Sequence, residues 1–589
     1  MDYSKLTELY TNLESTSKRL EKTSIISEFI KKIKKTDVDH LIYLIQGKVF
    51  APWDERKIGV STKLIIKALD TSTGTSKDKI EKMWAKIGDL GEVAAELVEK
   101  SKQSTLFTKK LTTRKVFDNI QKLSTLEGEG TVSRKIGLIS ELLTSASAAE
   151  ARFVVRTVLE DMRVGVAAGT LRDSITWAFF GEKLGINYDE KKNDLVINSR
   201  EEYNEYASKV QGAYDLLTDF GKVVEILIKD GEKGLAKIGL EVGRPVNVML
   251  YQKVSQVEDA FKVVGKPAAI EYKYDGWRAL IHIKGKEVKI FTRNLENVAR
   301  QFPDVVDNIK KNVKAKECIL DSEVIGYDPK GKMWLPFQAI SQRIRRKHRI
   351  EELAKKIPVM VHVFDVLSYN GKNMLKQPFK KRRELIEKIV NVERDKVHWA
   401  KQIVTDDNRK AQKFYEESLK RGNEGVMFKN LEGIYKPGSR VGYGVKLKPT
   451  LDRLDLTIVG AEWGTGKRAK WFSSFTLACV DEDGKFREIG NVGTGIKEKE
   501  TEDGVTFNEL TEILSKLIIK EQNKKVKVKS EVVVEIDYEE IQKSTTYSSG
   551  YALRFPRVVR LRYGDKNSDD STSLVEIEKI YQKQRGRNL

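Results

Sequence analysis

Apolar residues in the first part of the chain return at helical spacing. Leu6, Leu9, Tyr10 and Leu13 fall on one stripe, and Ile25, Ile26, Phe29 and Ile33 on another. The pattern continues over 90–98, 136–143 and 214–228, with Gly, Ser and Thr between the runs. It predicts an all-α domain over residues 1–242. Near Gly243-Arg244-Pro245 the period shortens to that of strands. Runs at 268–274, 279–283 and 288–291 read as strands, with turns at Gly276 and Gly285-Lys286. Strands and helices then alternate as far as Lys448, which predicts an α+β domain over 243–448. Beyond it, 454–459, 474–480, 486–489, 532–536 and 558–561 are strand-like, and Asp483-Gly484 marks a hairpin. This many short strands predicts a small β-barrel over 449–589. Leu574, Ile577, Ile580 and Tyr581 add a C-terminal helix.

Composition changes the picture in one respect. Lys plus Arg number 107 against 86 Asp plus Glu in 589 residues, a formal charge of +21. Such an excess calls for a polyanionic partner, nucleic acid before membrane. No apolar run approaches the ~20 residues that span a bilayer. Cys318 and Cys479, far apart in sequence, cannot build a four-cysteine zinc site and point to a reduced, cytoplasmic setting. The N-terminal Met1-Asp2-Tyr3-Ser4-Lys5 leads into polar helical sequence without a signal-peptide core. No coiled-coil seam is visible, so a monomer is expected.

The sharpest candidate chemistry lies in Ile270-Glu271-Tyr272-Lys273-Tyr274-Asp275-Gly276-Trp277-Arg278. On a strand, Glu271, Lys273 and Asp275 share one face. That face is either a salt-bridged edge or the seat of a nucleophilic lysine. A free lysine has a pKa near ~10.4, so a nucleophile needs neighbouring cations, desolvation or a metal. Cations are available in Lys446 and Lys448, two apart on one strand face, in Arg440, and in Arg293 at the end of another strand. Glu323 and Glu424 sit in acidic segments suited to Mg²⁺, which takes one or two carboxylates plus phosphate oxygens. Gly464-Thr465-Gly466-Lys467-Arg468 is not a P-loop, because Ala461 and Arg468 replace the required Gly and Ser/Thr. Asp161 to Thr170 is rich in small residues, and Thr170 is placed to cap a helix whose N-terminus attracts anions; a plain inter-helix turn is the other reading.

The order of the segments adds what none shows alone. Lys273-Tyr274-Asp275-Gly276, Thr292-Arg293-Asn294, Asp321-Ser322-Glu323-Val324, Phe364-Asp365-Val366-Leu367, Glu424-Gly425-Val426-Met427, Lys446-Leu447-Lys448 and Arg554-Phe555-Pro556-Arg557-Val558-Val559-Arg560 follow one another as in a known family. The chain resembles the ATP-dependent DNA ligases of the archaeal and eukaryotic replicative type, over nearly its whole length. Two stretches depart from the family pattern: Tyr443-Gly444-Val445 where a Trp is frequent, and one extra residue in Arg562-Tyr563-Gly564-Asp565-Lys566.

The resemblance implies a helical DNA-binding domain, a nucleotidyltransferase (adenylation) domain and an OB-fold barrel around nicked double-stranded DNA. It implies nick sealing through a covalent lysyl-AMP formed from ATP on Lys273, with Mg²⁺ or Mn²⁺, in replication, repair and recombination. By the same resemblance Glu271 contacts adenine and Phe364 stacks on it. Arg278 and Arg293 approach the ribose and phosphates. Glu323 meets ribose and metal, Glu424 meets metal, and Arg440, Lys446 and Lys448 neutralise phosphate. Arg554, Arg557 and Arg560 assist the first step. Arg163, Gly165 and Gly169 resemble a DNA-contacting turn. Gln103, Leu106 and Phe107 resemble a peptide that binds a PCNA-type sliding clamp. The expected location is cytoplasmic, with the nucleoid. RNA ligases and capping guanylyltransferases share the lysine motif but lack so long a helical domain; a non-catalytic DNA-binding scaffold would not need Lys273.

Overall fold

The computed structural model describes residues 1–101, 110–328, 333–335, 337–344, 346, 348–438, 440–449, 452–464, 468, 470–498, 504–522 and 524–584. Gln103, Leu106 and Phe107, the expected clamp peptide, lie outside the described residues. Two compact units are formed, one from 1–251, 276–400 and 431–441, the other from 252–275, 401–430 and 442–589.

The first unit begins with the expected helices. Tyr3–Ser15 buries Leu6, Leu9, Tyr10 and Leu13 on one side, and Arg19–Lys31 follows with Ile26 and Ile30 inward. Tyr3 N–H donates to the Leu111 carbonyl at 2.8 Å, so the first helix is tied to the segment before Thr113–Leu123. One apolar cluster runs from Tyr3 to Leu235 and makes this region a single core. Two details differ from the periodicity. A two-stranded ribbon, Asn187–Asp189 with Asp194–Val196, interrupts the helices. The run expected at 214–228 is two helices, Arg200–Leu217 and Phe220–Ala236. Thr218 turns left-handed at φ +50°, and Asp219 caps the second helix by accepting from Lys222 N–H.

The same unit carries a sheet in the order Lys372–Asn373, Val359–Tyr369, Glu317–Asp328, Trp277–Lys284, Glu287–Phe291. Its central strands are antiparallel and almost continuously buried, because the helices Pro303–Asn312 and Phe379–Ile389 pack there through Val305, Ile309 and Ile386.

The second unit holds a five-stranded sheet in the order Gln402–Thr405, Ala268–Lys273, Gly425–Asn430, Arg440–Leu447, Leu250–Val254. The C-terminal strands form a sheet in the order Phe486–Val492, Phe472–Val480, Leu454–Trp463, Lys525–Asp537, Ile518–Gln522, with Arg557–Leu561 also paired to Lys525–Asp537. Asp483 and Gly484, the latter at φ +74°, turn the expected hairpin. The C-terminal helix, Leu574–Lys583, starts with a capping box between Ser573 and Glu576 and buries Ile577. No helix among the described residues is long and apolar enough to cross a membrane.

Candidate active site

In the second unit, strand register gathers the lysines. Lys273 ends Ala268–Lys273 opposite Gly425, and Glu424 N–H donates to the Lys273 carbonyl at 2.8 Å. Val426 pairs with Leu447, which brings Lys448 alongside. Three side chains widely separated in sequence therefore meet: Lys273 Nζ and Lys448 Nζ stand 2.7 and 2.6 Å from Glu424 Oε2. Lys448 also lies 3.7 Å from Glu539. Gly425 is required there. Its φ is +142°, and a Cβ would sit 2.1 Å from the Leu447 carbonyl oxygen. Lys446 is half-buried, and burial, then the charges of Lys448 and Lys273, hold its ammonium below the usual lysine range.

One turn deeper on the same strand, Glu271 is buried. Its Oε2 lies 2.6 Å from Lys429 Nζ, and its Oε1 accepts from Gln402 Nε2 at 2.9 Å. Met427 pairs directly with Glu271, so Lys429 reaches it from two residues along the same face. Lys429 and Gln402 were not singled out from the sequence. The alternation of buried Val426 and Phe428 with Met427 and Lys429 is the signal that marks Lys429 for the face of Glu271.

In the first unit, Arg278 is not free to roam. Its Nε and Nη2 grip Asp321 at 2.8 and 2.6 Å, and Nη1 donates to the Met249 carbonyl at 2.8 Å. Tyr435 O–H donates to Asp321 at 2.7 Å and accepts from Met249 N–H at 3.1 Å. Burial, then the nearby Asp321 carboxylate, push the Tyr435 hydroxyl well above its usual range. The Arg278 guanidinium lies 5.4 Å from the Phe364 ring centroid, within cation–π reach. Asp365, next to Phe364, is buried in a two-bond pair with Arg382 at 2.7 and 3.0 Å. Glu323 is half-buried opposite Arg278 in the strand register, and Arg293 is exposed just after Glu287–Phe291. Arg440 opens Arg440–Leu447. Tyr435 carries no sequence signal, since Asp321 lies 114 residues away in the chain; Arg382 meets Asp365 from 17 residues on, a spacing that no strand or helix period marks.

In the helical region Arg163 and Gly165 occupy the turn before Ala168–Phe180, both left-handed at φ +59° and +67°. Gly169 lies in the first turn of that helix. Thr170 does not cap it. The cap position is Ala167, with no side-chain bond, and Thr170 is buried inside the helix. Helix entry three residues earlier than expected makes Thr170 a packing residue.

In the C-terminal sheet Arg554 lies 3.4 Å from Glu540, Arg560 4.0 Å from Glu535 and Asp565, and Arg557 is exposed. Among the described residues no three His, Cys, Asp or Glu side chains gather to hold a metal. Glu424 in the second unit and Glu323 in the first each offer a hard oxygen donor of the kind that suits Mg²⁺ or Mn²⁺.

Family models match three stretches: "DNA ligase N terminus" over 2–176, "ATP dependent DNA ligase domain" over 248–448, and "ATP dependent DNA ligase C terminal region" over 468–565. A DNA ligase of Nanoarchaeum equitans is 45% identical over 588 residues, covering 100% of this chain and 99% of that one. One from Archaeoglobus fulgidus is 40% identical, covering 99% of each chain. One from Thermococcus fumicolans is 39% identical, covering 99% of this chain and 98% of its own. Among solved structures, "Pmar-Lig_Pre" shares the fold with a TM-score of 0.54 at 16% identity, over 94% of this chain and 98% of that one.

Proposed function

The chain belongs to the ATP-dependent DNA ligases, and from that premise we propose that Lys273 is the residue that carries AMP. The activity is nick sealing in duplex DNA, in three transfers. Lys273 Nζ attacks the α-phosphorus of ATP; a P–N bond forms, the bond to the β-phosphate oxygen breaks, pyrophosphate leaves and the amine loses a proton. The 5′-phosphate of the nick then attacks the same phosphorus, the P–N bond breaks, and AMP passes to DNA. Finally the 3′-hydroxyl attacks the 5′-phosphorus, a phosphodiester forms and AMP leaves.

The observation that supports Lys273 is its ion pair with Glu424, shared with Lys448. A polyphosphate arriving there gives Lys448 and Lys446 a stronger anion than Glu424. Lys446 and Lys448 then spread the charge of the transferring phosphate. Arg440 and Arg293 serve phosphate in the same way. Glu271, fixed by Lys429 and Gln402, reads the adenine, and Phe364 stacks on it. Arg278, oriented by Asp321 and Tyr435, borders the ribose with Glu323. Arg554, Arg557 and Arg560 assist pyrophosphate departure. Glu424 and Glu323 would each offer a carboxylate to a divalent cation, Mg²⁺ or Mn²⁺, whose charge would offset that of phosphate.

Three domains carry these roles: 1–242 binds DNA, 243–448 is adenylated, and 449–589 is an OB-fold with its C-terminal helix. Arg163, Gly165 and Gly169 meet the DNA backbone. Gln103, Leu106 and Phe107 dock a PCNA-type clamp, and the enzyme works as a cytoplasmic, nucleoid-associated monomer.

Incubation with α-³²P-ATP and Mg²⁺ tests the central assignment. An acid-labile, protein-bound label should form and vanish in Lys273→Ala. Label that persists in that variant overturns it.

A further inference from the structure

Arg163 stands in a turn that the surrounding side chains hold from several directions. Asp89 is the anchor. It caps Leu90–Lys100 by accepting from Gly91 N–H at 2.8 Å, pairs with buried Arg156 at 2.7 Å, and reaches Arg163 Nη1 at 3.3 Å. Arg156 is held in turn by Glu14 and Glu92. On the other side of the turn Lys22, nearly buried, donates to the Val164 carbonyl. A Cβ on Gly165 would come within 2.9 Å of the same ammonium. A non-glycine residue at φ +59° is strained and persists because its surroundings over-determine it.

The exposed side of the guanidinium meets a different partner. Arg163 Nε and Nη2 both grip Asp161 Oδ2, at 2.8 and 2.7 Å, and the two side chains are 43% and 55% exposed. This fork is the one arginine offers to a phosphate. Asp161 is therefore placed as a phosphate stand-in on the surface, whereas Asp89 holds the guanidinium from beneath.

We propose that Asp161 competes with the DNA backbone for Arg163, so that binding of a nicked duplex replaces one exposed carboxylate with a phosphate on an arginine already aimed by Asp89. This rests on the reading that the 161–170 turn contacts DNA. The exchange sets affinity without reading sequence, because only the backbone is involved. An exposed pair is weak and salt-screened, so a phosphate can displace it, yet its loss is measurable.

The test is equilibrium binding of the full chain to a nicked duplex with a 3′-dideoxy end, at low salt. Asp161→Asn should tighten binding about two- to fivefold, the range an exposed ion pair is worth. Arg163→Ala should weaken it. The gain from Asp161→Asn should disappear in the Arg163→Ala background. Glu160→Gln, which removes a neighbouring exposed charge, should give the same small change in both backgrounds. Self-adenylation should match the parent in Asp161→Asn and in Glu160→Gln. Weakened binding in Arg163→Ala without a gain in Asp161→Asn, or a gain that survives in the Arg163→Ala background, overturns the competition while leaving the DNA contact standing. Unchanged binding in Arg163→Ala overturns the DNA contact itself.

Discussion

Lys273 Nζ lies 2.7 Å from Glu424 Oε2, and the strand register that opposes Lys273 to Gly425 brings the two residues side by side. The lysine proposed to carry AMP thus rests against a carboxylate. On that proposal Glu424 positions the amine until the nucleotide takes its place. Glu424→Gln keeps the shape and removes the charge. Self-adenylation in this variant should slow by about a hundredfold, the scale of a misplaced reacting group. Quench-flow with labelled ATP measures it; a rate equal to the parent would show that the contact is incidental.

Gly425 fixes that register with no room to spare. Gly425→Ala would press a methyl group against the Leu447 carbonyl at 2.1 Å and force the two strands apart. The expected outcome is a loss of self-adenylation of at least about tenfold, together with a lower melting temperature.

Asp321 is wholly buried against Arg278. Asp321→Ala leaves an arginine and the Tyr435 hydroxyl facing an uncompensated site. Stability should fall by about 3–5 kcal/mol, the usual result of breaking a buried pair from one side. Urea denaturation gives the value directly, and a loss below about 1 kcal/mol would mean that water reaches the guanidinium.

Two buried histidines set the acid limit. Burial, then Lys289, push His282 down to about 3, and its Nδ1 accepts from Gly243 N–H at 3.0 Å. Burial, then His398, push His362 down to about 3. Both are bases whose folded value is depressed, so the unfolded chain takes up protons first. Their contribution is complete above about 6.5 and is lost as pH falls from there toward 3. Each steepens the fall by about 1.4 kcal/mol per pH unit within that window. Denaturation from pH 7 to 4.5 should show the slope, and His282→Asn should make it shallower.

Much of this was legible in the sequence, for a reason that differs by element. The Lys273-Tyr274-Asp275-Gly276 segment is local, so its strand and turn are written in consecutive residues. The paired lysines obey a two-residue period and could be placed on one face before any partner was known. The Arg278–Asp321–Tyr435 cluster could not, because tyrosine O–H and carboxylate meet across 114 residues of chain. The break at Thr218 was hidden because the apolar stripe continues through it, and only the left-handed backbone and the Asp219 cap divide the helix.

The sheet order that joins Ala268–Lys273 to Gly425–Asn430 and Arg440–Leu447 bears on how the enzyme is made. Roughly 130 residues must leave the ribosome after Lys273 before its strand's first neighbour, Gln402–Thr405, exists, some 6–26 s at ordinary elongation rates. For that interval the nascent chain carries an edge strand with nothing to pair, while the helices up to Ala236 already have every partner in hand. Long-range pairing of this kind is slow to form. Misassembly during synthesis should therefore concentrate in the segment that bears Lys273, and, on the proposed domain roles, partially folded chains should bind DNA before they can accept AMP.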